Sequence, residues 1–149
     1  MEDRAQTGLD MTKVMILLQR KYSSVRELVR LTRELGEALE RYDEISANML
    51  LQMRADEMAK IDGCMDEIWQ IGEVDRESME QLRILITSEP SKTVKKSLEE
   101  KKIYEIREKT QAMLDELLAV DKRLNQSVAR EKSYYKSEGK NKENRSIRA

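Results

Sequence analysis

An all-α fold is predicted by three features of this 149-residue sequence. Apolar residues recur at spacings of three and four along most of it, the mark of helices with one buried face. Charged residues make up 38%, and they are rich in Glu, Lys and Arg, which suits long helices with wet outer faces. Runs of β-branched residues bounded by Gly or Pro, the signal of strands, are missing. With one Pro and five Gly there are few places to break a helix. The expected architecture is an elongated antiparallel bundle of three to four helices, with a long C-terminal helix and a disordered tail. The helices are expected over residues 11–42, 46–72, 76–87 and 92–135, as one domain over 1–136, followed by a basic tail over 137–149.

The first helix begins after Asp10, whose carboxylate can cap the free amides of the first turn. Met11, Met15, Leu18, Tyr22, Val25 and Val29 then mark one face. A second stripe runs through Leu28, Leu31, Leu35, Ala38, Tyr42, Ile45 and Met49, and the overlap at 28–29 predicts a broad buried face. Arg30–Glu34, Arg33–Glu37 and Glu37–Arg41 are i,i+4 pairs on the wet side. Whether the helix passes residues 42–46 is left open by the pattern. The apolar repeat continues through Tyr42, Ile45 and Met49, but Asp43 and Ser46 are capping residues. One helix over 11–53 would also be about 65 Å long, beyond the usual globular length.

Met58, Ile61, Met65 and Ile68, with Trp69 beside them, continue the helical spacing. Gly72 and Asp75 then fall where apolar residues belong, so "IGEVD" predicts a kink or an end. Ser78 and Gln81 form a candidate capping box for a short helix reaching Ile86. "TSEPSKT" is the firm break, because Pro90 expels its predecessor from helical conformation and Ser88, Ser91 and Thr93 can all cap. The cleanest repeat follows: Ile103, Ile106, Thr110, Met113, Leu117, Val120, Leu124 and Val128. Such a seam serves either as core or as the docking face for a partner helix.

The sequence excludes common chemistry by what it lacks. Without a single His there is no His-based triad, no HExxH and no Glu-x-x-His di-metal site. The glycines are scattered, so no phosphate loop is formed. Acidic groups at Glu37, Glu40 and Glu44, and at Asp62, Asp66 and Glu67, read as solvated helix faces. Cys64, the only cysteine, reads as a small buried hydrophobe in a reducing compartment. No catalytic residue, metal or cofactor is expected, and the chain is expected not to be an enzyme. A net charge of −1 gives no field for nucleic acid, although residues 130–149 carry +4. The charged N-terminus is not a signal peptide, and no apolar stretch approaches the ~18–20 residues of a membrane span. A cytoplasmic location is expected. Met49, Met53, Met58 and Met65 crowd the middle of the chain, either as core filling or as a surface that adapts to varied apolar helices.

The stretch "LTRELGEALERYDEISANMLLQMRADEMAKID", residues 31–62, resembles the FlgN-type flagellar export chaperones. The likeness lies in the small-apolar pair Ala38-Leu39, the acidic turn position Asp43, and a second helix with basic Arg54 ahead of Met58 and Ile61. The length, the single firm break and the long last helix are also similar. The resemblance implies antiparallel helices with a break near 43–46, a cytoplasmic location, and binding of a hook-associated protein through its terminal helices before secretion. On that reading the last helix supplies the client contacts, at Met113, Leu117, Val120, Leu124 and Val128. The resemblance further implies that Tyr134 or Tyr135 presents itself to the export gate. The rival reading is a structural coiled coil or scaffold that forms a homodimer through the 103–128 seam and has no client.

Overall fold

The computed structural model describes the backbone of residues 8–92 and 97–148, with side chains placed as far as Ala129. Four helices make up the fold: α1 (Met11–Glu40), α2 (Glu44–Gly72), α3 (Arg76–Thr87) and α4 (Leu98–Arg148), with a 3-10 turn at Pro90–Lys92. Among the described residues there are no strands, and no helix is long and apolar enough to cross a membrane.

Side-chain caps start all four helices, three of them through an aspartate. Asp10 accepts from the Lys13 amide at 3.0 Å, Asp43 from the Ser46 amide at 3.1 Å, and Asp75 from the Ser78 amide at 2.6 Å. The carboxyls of Asp43 and Asp75 are held below their usual range by these bonds, to the hydroxyl and amide of Ser46 and to the amide and hydroxyl of Ser78. The predicted capping box at Ser78 and Gln81 is therefore replaced by a cap three residues earlier. Ser78 itself is buried at 3% exposure, inside the first turn. α4 starts at Ser97, whose Oγ accepts from the Glu100 amide at 3.1 Å, rather than near residue 92. Of the caps proposed around the break, Thr93 lies outside the described residues.

The open question at residues 42–46 is answered by a turn. Asp43 N–H donates to Ala38 O at 2.9 Å and Tyr42 N–H to Leu39 O at 3.1 Å, the paired bonds that close a helix C-terminus. This closure needs a left-handed residue, and Tyr42 takes φ 56°. Asp43 then serves twice, as the end of one closure and the cap of the next helix.

α1 is the spine of the bundle. Val14, Leu17, Leu18, Ile68, Leu82, Leu85, Ile103 and Tyr104 form the base cluster, drawn from all four helices. Leu28, Val29 and Leu117, with Ile61 and Leu114, make a middle cluster. Leu35, Ala38 and Ala47, with Leu39, Leu50 and Leu124, close the far end. Matching these levels shows α1 and α2 antiparallel, as expected, whereas α1 and α4 run in the same direction. α3 fills the base between α2 and α4.

Tyr104, which the predicted seam passes over, is the largest fully buried side chain. Its hydroxyl lies 2.8 Å from Ser88 Oγ, and the Arg107 guanidinium sits 5.3 Å from its ring centroid. Arg107 also donates to Leu85 O (2.8 Å) and Ser88 O (2.6 Å), satisfying carbonyls left free at the end of α3. The α4 backbone is helical to Arg148, past the predicted end near residue 135. Side chains from Arg130 onward lie outside the described residues, those of Tyr134 and Tyr135 among them, whereas the backbone over 137–148, expected as a disordered tail, is helical.

Candidate functional site

Each residue of the predicted client seam faces α1 to some degree. Leu117 and Val120 are 8% and 7% exposed, and Leu117 packs with Leu28 and Val29. Leu124 joins the far cluster, with its Cδ1 3.9 Å from the place a Cβ on Gly36 would occupy. Met113 and Val128 are half-buried at the rims of two grooves between α1 and α4. The seam is thus occupied within the chain, and a client could reach Leu117 or Val120 only by displacing α1. The physical reason is general: a clean single-face repeat is what burial against one long neighbour requires, and α1 is that neighbour.

The uncovered apolar surface lies instead on α2. Between Ala47 and Ile68 no α2 residue is buried. Ile45, Met49, Leu51, Met53 and Met58 are between 39% and 79% exposed. Isolated exposed apolar residues are ordinary, but five on one helix form a surface that needs an explanation. Four of them divide between two flanks, and Ile45 stands apart on the outer side near the start of the helix. Met49 and Met53 border a groove against α1, with Arg30, Glu34, Glu37 and Arg41 opposite. Leu51 and Met58 share a stripe with Arg54, at spacings of three and four, and face the side of α4. Arg54 fixes this orientation by donating to Asp121 Oδ1 at 3.1 Å, while its Nε is buried without an acceptor. Met65, by contrast, is core filling, packed on the base cluster.

Electrostatics frame the bundle more than they make a reactive centre. Arg30 pairs with both Glu27 and Glu34, the latter at 2.6 Å, while Arg33 pairs across to Glu116 of α4 rather than along its own helix. At the end of α3 a cavity of about 530 Å³ is bordered by Leu18, Lys21, Ile86, Arg107 and Leu114. Burial, and then the Arg107 charge, push the Lys21 ammonium below its usual value. Burial, then Glu67, push the Cys64 thiol up, which makes it a poor nucleophile. All six carboxylates of the two acidic groups are exposed, and among the described residues no cluster of three metal-ligating side chains exists.

Sequence reasoning found the methionines but not the reason they are exposed. Leu118, 66% exposed on α4, was outside every stripe and is found only through the packing. Comparison with protein-family models, with curated proteins and with solved structures finds no match for this chain.

Proposed function

We propose that this chain is a non-enzymatic binding protein, a cytoplasmic flagellar type III export chaperone that holds a hook-associated protein before its secretion. The observation that carries the reading is α2, which keeps its backbone on a rigid bundle while presenting five large apolar side chains to solvent. Three are methionines, whose unbranched thioethers re-pack around varied apolar partners. The 31–62 resemblance supports the same reading, and its Ala38-Leu39, Asp43 and Arg54 fall on the α1 end, the turn and α2. Client contacts belong on α2 in this reading, in place of Met113, Leu117, Val120, Leu124 and Val128. A role for Tyr134 or Tyr135 at the export gate rests on the resemblance alone. The dimerising-scaffold reading has less support, because the seam it would use is taken up by α1.

The test is co-purification of the full tagged chain from the cytosol of a motile host, paired with deletion of its gene. Recovery of an identified hook-associated protein, together with loss of that protein from the cell exterior on deletion, supports the proposal. Normal filament assembly without the gene, and no hook-associated protein on the tagged chain, would overturn it.

A further inference from the structure

The bundle has four helices at its base and three above it. α3 is 12 residues long, against 30 for α1 and 29 for α2. α3 packs its backbone against α2 and α4, while among the described residues no Cα of α2 lies within 8 Å of a Cα of α4. The position α3 holds at the base therefore continues upward, beyond Thr87, as a groove between α2 and α4 with α1 as its floor. Above α3, Arg54 and Asp121 bridge the two helices by side chain. Ile61 and Leu114 line the floor, half-buried against the middle cluster.

The walls are apolar and exposed. Leu51 and Met58, three and four residues from Arg54, are 48% and 50% exposed; Leu118, three residues from Asp121, is 66% exposed. From the level of Arg107 to that of Asp121 the groove runs roughly four turns, ~21 Å. The outward rims carry exposed Asp62, Glu108 and Asp115 against Lys122.

We infer that this groove receives an amphipathic α-helix of a partner protein, about four turns long, with its apolar stripe on Leu51, Met58 and Leu118 and with Lys or Arg on its flanks. The inference rests on the client-binding reading and names the surface and the chemistry of what it holds. A helix is specified because the groove is the axial continuation of a seat already filled by one. Basic flanks are specified because the rim carboxylates outnumber the rim cations, and because complementary charge sets register and suppresses wrong partners.

The probe is an 18-residue model helix with a Leu stripe and Lys flanks, compared with a Glu-flanked twin by fluorescence anisotropy on the full chain. The variant is Met58→Lys/Leu118→Lys, two exposed positions where Lys is a good helix former, checked by its circular dichroism melt. Ile16→Lys, on a residue of α1 that is 48% exposed and belongs to neither α2 nor the groove, is the control. Binding of the Lys-flanked helix is expected, at least tenfold weaker for the double variant and for the Glu-flanked twin, and unchanged in Ile16→Lys. Equal binding by the double variant, or loss only in Ile16→Lys, would overturn the assignment. So would a dimer in ultracentrifugation that the double variant dissociates, which would give the face to a second copy. Failure here while a hook-associated protein still co-purifies moves the client elsewhere on the chain; success without such a client leaves a helix-binding groove with no export role.

Discussion

Two glycines of α2 offer the same substitution with opposite outcomes. Gly63 is exposed, and a Cβ built on it meets nothing within 4 Å. Gly63→Ala therefore brings only the helix-propensity gain, about 0.8–1 kcal/mol. Gly72 is the last residue of α2 and is buried. A Cβ there would stand 2.8 Å from Leu82 Cδ2 and 3.1 Å from Met79 Sδ. The methionine can yield, but Leu82 is 0% exposed in the base cluster and has nowhere to turn. Overpacking of this kind costs about 1–3 kcal/mol, and the helix end recovers little of it through propensity. The two variants should thus differ by about 2–4 kcal/mol, with Gly63→Ala above the parent and Gly72→Ala below it. At this chain length that corresponds to roughly 5–15 °C in Tm, well within reach of circular dichroism and urea melts. If Gly72→Ala were as stabilising as Gly63→Ala, the close approach of α3 to the end of α2 would be refuted, and with it the placement of the groove above α3.

Other outcomes follow from single residues. Tyr42→Gly removes a side chain from a left-handed position, φ 56°, and should raise stability by up to ~1 kcal/mol in a urea titration. Tyr104→Phe deletes the 2.8 Å contact with Ser88 Oγ and should cost about 1 kcal/mol, leaving the helical circular dichroism intact. Because the Asp43 and Asp75 carboxyls are depressed in the folded chain, their contribution is complete above the unfolded value of about 3.9 and is lost as pH falls through the folded one. The urea midpoint should therefore hold level from neutral pH to about 5 and drop below about 4, and Asp75→Asn should flatten that acid limb.

The client seam is where sequence and structure part most instructively. The 103–128 repeat is the most regular in the chain, and regularity tempts one to assign it a partner. Regularity reports only that one face leaves water, and α1 is long enough to supply the other side at Leu117, Val120 and Leu124. The apolar residues of α2 are less regular because they point to two flanks, so periodicity undervalued them. Tyr104 was missed for a related reason: it turns sideways to α3 instead of along the seam.

The sequence by itself determined the all-helical class, the cap at Asp10 and the firm break at Pro90, because those depend on local spacing and on groups a few residues apart. The tertiary structure alone decided the left-handed closure at Tyr42, the capture of the last helix by the first, and the exposure of α2. Each of those depends on which neighbour reaches how far. α3 stops after 12 residues, and that one length leaves a side of α2 and a side of α4 without cover.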